Sequence, residues 1–237
     1  MPNDPSRRTF ISGAVGAAAV GAATLAATAP AHTSVAKHTE LTADQALTAL
    51  KEGNARFVAG SECFDALAER RLAIASGQAP FAVIVACSDS RVPPELLFAR
   101  GLGELFVIRD AGNTVDTVAL GSIQYAVAHL GVPLIVVLGH RRCGAVQAAV
   151  AVVRENATFP GSIGQMVEPI VPAVLKAQGR DGELEENAIR ENVRRTVTRL
   201  RSSTEPILRA PLDAGRLRIV GARYDLDDGR IDWFEES

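Results

Sequence analysis

Three short apolar runs constrain the fold of this chain more than any other feature. They are FAVIVAC at 81–87, ELFVIRD at 104–110 and PLIVVLGH at 133–140. Each run has an uninterrupted apolar centre that contains Val and Ile, which is typical of strands buried on both faces of a sheet. Stretches with helical character separate the runs, so the sequence predicts a parallel sheet that is covered by helices on both sides.

Helices are predicted before, between and after these strands. A capping box formed by Thr42 and Gln45 marks the start of the first one. The others are predicted over PPELLFAR at 93–100, VALGSIQYAVAHL at 118–130, GAVQAAVAVV at 144–153, and the stretches 162–178 and 183–203. The segment 216–234 predicts a hairpin closed by Asp-Gly. We therefore predict one α/β domain over 41–237, with a central, mainly parallel sheet flanked by helices and a C-terminal hairpin that supplies an edge strand.

Potential metal ligands follow two of the three runs. Cys87 ends the first run, His140 ends the third, and Cys143 opens the helix after it. Because ligands gather at the carboxyl ends of parallel strands, we expect these three side chains to meet at one edge of the sheet. Two thiolates and an imidazole leave one zinc coordination position open, which is the pattern of a catalytic rather than a structural zinc site. Cys63 is the remaining cysteine, and three cysteines do not make a disulfide framework.

Two other interpretations of these residues stay open at this point. A buried cysteine is often only a small apolar side chain, and an H-x-x-C pair by itself is a weak signal. Cys143 beside His140 could also be a cysteine nucleophile with its base. The coincidence of three ligand types at strand ends favours a shared metal over both.

The residues after Cys87 make the pattern specific. CSDSR places Asp89 and Arg91 two and four residues beyond the cysteine, where they can pair with each other and still face a metal. Together with RDAGNTV, SIQYAVAHLG and LGHRRCGAV, this motif resembles the β-class carbonic anhydrases. The resemblance runs from about Leu41 to Phe234, nearly the whole chain after its first forty residues.

This resemblance implies a chemistry and a set of ligands. It implies reversible hydration of carbon dioxide to bicarbonate and a proton, by attack of zinc-bound hydroxide. One Zn²⁺ per chain is expected on Cys87, His140 and Cys143, with an Asp89–Arg91 dyad beside the fourth position. In some family members the aspartate itself ligates zinc, so Asp89 is a possible fourth ligand in a closed form.

The resemblance also implies a substrate pocket and an oligomer. Gln78 falls on the glutamine that hydrogen-bonds the substrate in the family, usually from the neighbouring subunit. Phe106 and Tyr125 fall on the aromatic residues of the pocket, although a surface glutamine and two core aromatics are the ordinary alternative. A homodimer with active sites at the shared interface is expected, sometimes doubled to a tetramer.

Two other functions are compatible with the same zinc ligands. One is hydrolysis of CS₂ or COS, and the other is a non-catalytic zinc-binding role, which the intact Asp89, Arg91 and Gln78 disfavour. The net charge of −2 gives no general reason to expect a nucleic-acid or membrane partner.

The N-terminus is predicted to be an export signal. Arg7 and Arg8 precede a weakly apolar run rich in Ala and Gly, and Ala29-Pro30-Ala31 matches a small-residue cleavage site. The paired arginines resemble a twin-arginine signal. We predict a signal peptide over 1–31 and a flexible start of the mature chain over 32–40, hence a periplasmic or secreted protein. An uncleaved anchor helix is the alternative, and the weak hydrophobicity of the run disfavours it.

Overall fold

The computed structural model describes residues 38–61 and 67–235. The predicted signal peptide, most of the stretch 32–40 and Cys63 lie outside the described residues. Within the described ranges, no helix is long and apolar enough to cross a membrane.

The sheet has five strands in the order β2-β1-β3-β4-β5. The first four strands in this order are parallel, and β5 is antiparallel to β4. The strands are β1 (Ala82–Ala86), β2 (Leu105–Arg109), β3 (Leu134–His140), β4 (Arg218–Tyr224) and β5 (Ile231–Glu235). This arrangement confirms the predicted α/β architecture, including the C-terminal hairpin at the edge.

Helices cover both faces of the sheet. They are α1 (Ala43–Val58), α2 (Leu67–Ala73), α3 (Pro94–Leu97), α4 (Thr117–Leu130), α5 (Gly144–Glu155), α6 (Ser162–Val167), α7 (Val171–Ala177), α8 (Leu184–Arg201) and α9 (Pro206–Asp213). Because side chains alternate along a strand, Ile84 of β1 packs in the cluster that includes α1. Its neighbours Val83 and Val85 pack in the cluster that includes α4 and α8.

Three details of the prediction are wrong. The stretch 162–178 is not one helix, because Pro169 and Pro172 divide it into α6, a 3₁₀ turn at Glu168–Ile170 and α7. The helix over 93–100 is only the single turn α3. Strand β2 is not buried on both faces: Ile108 is its one buried residue, because the strand forms an edge of the sheet.

The register of the two central strands positions the predicted site. Ala86 of β1 pairs with Leu138 of β3, so Cys87 and His140 emerge at the same edge. A Cβ atom on Gly139 would lie 2.7 Å from Cγ2 of Val193, which shows that α8 packs directly on the strand beside His140. The sequence therefore places a tightly packed helix behind one predicted metal ligand.

Candidate active site

The structure brings together the three predicted zinc ligands. The ligand atoms of Cys87, His140 and Cys143 all lie within 4.8 Å of one another, and all three residues are buried. The two sulfur atoms are 4.0 Å apart. Two thiolates on one tetrahedral zinc, with Zn–S distances of about 2.3 Å, would be separated by about 3.8 Å. The spacing of the sulfurs therefore fits a shared zinc ion.

The imidazole of His140 is oriented for metal binding. Its Nδ1 lies 2.9 Å from the carbonyl oxygen of Arg141, an arrangement in which Nδ1–H donates and Nε2 keeps a free lone pair. Nε2 is buried and has no hydrogen-bond partner. A buried polar atom without a partner is costly. A metal ion between the imidazole and the sulfurs would satisfy it, which is a second sign that these residues fit zinc.

The two thiols are electrostatically coupled. A hydrogen bond from Cys143 lowers the pKa of Cys87 to about 4, against the opposing effect of burial, and a bond from the Gly112 N–H adds to the lowering. The same contact with Cys87, together with burial, raises the pKa of Cys143. Both cysteines could be ionised together only with a cation between them, a charge that a divalent metal would supply.

The predicted Asp89–Arg91 dyad is present beside the ligands. Asp89 Oδ1 accepts from the backbone N–H and from Nε of Arg91, both at 2.9 Å, and Oδ2 accepts from Nη2 at 2.7 Å. These bonds lower the pKa of Asp89 to about 2, against the effect of burial. Asp89 Oδ2 also lies 3.9 Å from Nε2 of His140. An ionised carboxylate thus borders the three ligand atoms, held by its arginine.

Gly112 and Asn192 support Cys87 and were missed in the sequence. The Gly112 N–H donates to Cys87 Sγ at 3.2 Å, and the Asn192 side chain donates to the Gly112 carbonyl at 2.8 Å. Gly112 has a φ of 70°, and a Cβ atom there would lie 2.6 Å from Ile170 Cδ1. The glycine in RDAGN was the available signal for this tight backbone, whereas nothing near Asn192 pointed to the site.

Arg109 is a second support that sequence reasoning missed. It ends β2 next to β1, and its Nε donates to the Cys87 carbonyl at 3.0 Å. Its Nη2 donates to the Asp89 carbonyl at 2.5 Å. The side chain therefore fixes the backbone of the loop that carries both residues.

The chain has close relatives among carbonic anhydrases. The carbonic anhydrase family model matches residues 82–231. Carbonic anhydrase 2 of Mycobacterium tuberculosis is 46% identical over 188 residues, covering 77% of this chain and 88% of that protein. The carbonic anhydrase of Mycolicibacterium smegmatis is 43% identical over 185 residues, covering 78% and 89%.

A solved structure agrees in fold. One of the tetrameric β-carbonic anhydrases of Sordaria macrospora superposes with a TM-score of 0.62 at 28% identity, covering 69% of this chain and 84% of that one. The chain belongs to the β-carbonic anhydrase family. Members of this family use zinc, and the Cys/His/Cys group provides a matching site here. The protein is a zinc-dependent enzyme for the reversible hydration of carbon dioxide.

The three predicted pocket residues of this carbonic anhydrase lie away from its own ligand cluster. Gln78 is exposed in the loop before β1, at the opposite end of that strand from Cys87. Phe106 pairs with Val83, four residues and about 13 Å along the strand from Cys87. Tyr125 is half-exposed on α4, with its ring 6.3 Å from that of Phe106. The fold of one chain thus groups Phe106 with Tyr125 and leaves both outside the metal group.

Proposed function

We propose that Cys87, His140 and Cys143 hold the zinc ion of this enzyme and that Asp89 and Arg91 act beside it. The observation that carries the proposal is the convergence of three buried donor atoms within 4.8 Å, bordered by an ionised carboxylate. In this arrangement zinc would act as a Lewis acid that lowers the pKa of water toward neutrality.

Asp89 orients the water that attacks carbon dioxide. An ionised carboxylate only accepts hydrogen bonds, so Asp89 accepts a hydrogen bond from the attacking oxygen without taking its proton, and this bond directs an oxygen lone pair at the substrate carbon. Arg91 keeps Asp89 ionised and fixes its plane through bonds to both oxygens. His140 is kept in the tautomer that offers Nε2 by its bond to the Arg141 carbonyl. In a closed form of the site, in which Asp89 is the fourth zinc ligand, Asp89 would have to give up its bonds to Arg91.

The substrate pocket is proposed to be shared between two copies of the chain. Gln78, Phe106 and Tyr125 lie outside the ligand cluster of their own chain, which supports a role at the site of a partner. Strand β2 is a partly exposed sheet edge, and Val118 of α4 is 76% exposed. A homodimer that covers this surface is therefore our proposed assembly, with a tetramer, as described for the Sordaria macrospora enzymes, as the alternative.

Export by a twin-arginine route is a separate proposal, supported by the sequence of residues 1–31 alone. Changing Arg7 and Arg8 together to Lys keeps the positive charge but removes the arginine pair. We expect that variant to stay in the cytoplasm while the original chain reaches the periplasm or medium, as measured by fractionation. Normal secretion of the variant would contradict this proposal and leave the enzymatic one unaffected.

Zinc content and stopped-flow CO₂ hydration, measured on the same preparation, test the proposed site. We expect about one zinc per chain. Cys143→Ser should lose both metal and activity, whereas Cys63→Ser, a matched control without an assigned role, should keep both. Activity in a zinc-free preparation would refute the site. CS₂ turnover without CO₂ hydration would show that the substrate is CS₂, and it would leave the proposed zinc site unaffected.

A further inference from the structure

Arg141 and Arg142 fill the two positions between the ligands His140 and Cys143. Their backbone carbonyls each hold one side chain of the site. The Arg141 carbonyl accepts from His140 Nδ1 at 2.9 Å, and the Arg142 carbonyl accepts from Arg91 Nη2 at 3.2 Å. The conformation of this short loop therefore sets the direction of the imidazole and the place of the arginine in the dyad.

One carboxylate binds the side chains of both loop arginines. Asp227, in the turn between β4 and β5, accepts from Arg141 Nη1 on Oδ2 and from Arg142 Nη2 on Oδ1. Arg142 Nη1 lies 3.4 Å from Oδ2 as well. A single exposed ion pair contributes little to stability. Here both oxygens of one carboxylate engage neighbouring residues of one loop, so the contact restrains loop geometry more than it stabilises the fold.

The loop needs such a restraint because its backbone is strained. Arg142 has a φ of 53°, in the left-handed region that side-chain-bearing residues enter at a cost of about 1–2 kcal/mol. Left without support, a loop with this strain would shift toward ordinary backbone angles. Such a shift would move the carbonyls that hold His140 and Arg91.

The turn that carries Asp227 is itself anchored. The Asp227 N–H donates to Asp225 Oδ1 at 2.9 Å. The buried side chain of Asn54 donates to the Gly229 carbonyl at 2.9 Å and accepts from the Ile231 N–H at 3.0 Å. Because α1 and the hairpin hold the turn from both sides, the carboxylate is a fixed point for the arginines.

We propose that Asp227 is a positioning residue of this enzyme. By binding Arg141 and Arg142 it holds the loop so that His140 presents Nε2 to the zinc and Arg91 remains against Asp89. The proposal rests on the proposed zinc site. Asp227 acts through the loop and has no part in the chemistry itself.

Zinc affinity is the readout that separates this role from a general contribution to folding. Asp227→Ala should bind zinc about tenfold more weakly than the original chain, as measured by competition with a chromophoric chelator. This loss is at the lower end of the range for partners that orient metal ligands. The value of kcat should fall by a similar factor with KM little changed, because the predicted pocket residues lie elsewhere. Asp227→Glu keeps the carboxylate and should stay within about threefold of the original affinity.

Asp228→Asn is the matched control, since it removes the same charge from the same turn. Asp228 bonds to the N–H of Arg230, not to the ligand loop. The Asp228→Asn variant should bind zinc and hydrate CO₂ as the original chain does, and melting curves check that all variants fold.

If Asp227→Ala does not fold, Asp227→Asn and Arg142→Ala take its place. Each should weaken zinc binding, and combining them should add nothing.

The outcomes distinguish this inference from the proposed site. An original chain that binds no zinc would refute the site. A zinc-binding chain in which Asp227→Ala stays within twofold of Asp228→Asn would overturn the positioning role alone. Equal losses in these two variants, or no rescue by Asp227→Glu, would assign the effect to the turn and also overturn the role.

Discussion

At the scale of single residues, Asp89 separates metal binding from catalysis. Asp89→Asn replaces an acceptor-only group by an amide that can donate, so it can no longer orient the attacking water. We expect CO₂ hydration to fall about 100-fold or more, because the nucleophile is no longer held in its attacking orientation. Zinc content should stay near one per chain, because Asp89 is not one of the three buried donors.

Asp110→Asn is the control for this prediction. Asp110 lies in the RDAGN segment, and it is outside the dyad. Stopped-flow assays and metal analysis of both variants should therefore show a loss of rate in Asp89→Asn only. Wild-type hydration by Asp89→Asn would show that our role for the carboxylate is wrong.

The sequence reveals some of the site residues and conceals others for a physical reason. Cys87 and His140 could be predicted to converge because they end neighbouring buried runs, and Asp89 follows within two residues. Asn192 and Asp227 could not, because each reaches the site from a part of the chain 80 or more residues away. Gly112 acts through its backbone N–H, which every residue except proline carries.

At the scale of elements, the close packing of α8 on β3 should be sensitive to one methyl group. A Cβ atom on Gly139 would lie 2.7 Å from Val193 Cγ2 and 3.3 Å from Ile189 Cγ2, both on α8. Gly139→Ala should therefore lower the free energy of unfolding by about 1–3 kcal/mol through overpacking. Because His140 is the next residue, zinc affinity should fall too.

Denaturant unfolding followed by circular dichroism measures the effect of Gly139→Ala. Gly77→Ala is the control, since a Cβ atom there meets nothing within 4 Å. It should change stability by no more than about 0.5 kcal/mol. Equal stability of the two variants would mean that α8 can move away from β3 at no cost.

Glu191 of α8 forms ion pairs with Lys176 of α7 and with Arg180 just after it, and we expect these pairs to weaken in acid. Its side chain is 1% exposed and pairs with Lys176 at 2.7 Å and Arg180 at 2.9 Å. Burial alone would raise the pKa of Glu191, but the bonds from these two cations outweigh it and lower the pKa below its usual range. A lowered pKa in the folded state contributes stability above the unfolded pKa, and this contribution is lost as the pH falls through the folded value.

Glu191→Gln should therefore reduce the free energy of unfolding by about 2 kcal/mol at pH 7, less than for a fully buried pair because both cations are partly exposed. The difference from the original chain should be constant above about pH 5 and shrink below about pH 4.3. Asp213→Asn, which breaks an exposed pair with Arg209, is the control and should cost under about 0.5 kcal/mol. A Glu191→Gln deficit that does not change between pH 7 and pH 3 would contradict the proposed ionisation.

Sequence pattern predicted these elements unequally. Continuous Val and Ile in 81–87 and 133–140 suffice for β1 and β3, because a strand buried on both faces has no polar side. The exposure of β2 could not be predicted, since an edge position depends on strand order rather than on composition. The two prolines at 169 and 172 already indicated in the sequence that 162–178 does not form one helix.

At the scale of the whole molecule, the exposed surface of α4 and β2 connects assembly to activity. On α4, Val118 is 76% and Tyr125 48% exposed, and the Tyr125 ring lies 6.3 Å from that of Phe106 on the edge strand β2. If this surface forms the dimer interface, Phe106 and Tyr125 lie at that interface, where they can line the active site of the partner subunit. Loss of the dimer should then impair catalysis although each chain keeps its zinc.

Val118→Asp tests this connection without disturbing the helix. Val118 is the second residue of α4, where an acidic side chain suits the helix dipole. We expect the variant to sediment as a monomer, to retain zinc, and to lose at least about tenfold in kcat/KM, because a buried charge at an interface costs several kcal/mol.

Ile163→Asp is the matched control, because Ile163 is the second residue of α6 and is 50% exposed. It should assemble and turn over normally. A monomeric Val118→Asp with full activity would place the pocket within a single chain, and a dimeric one would move the interface to another face of the molecule.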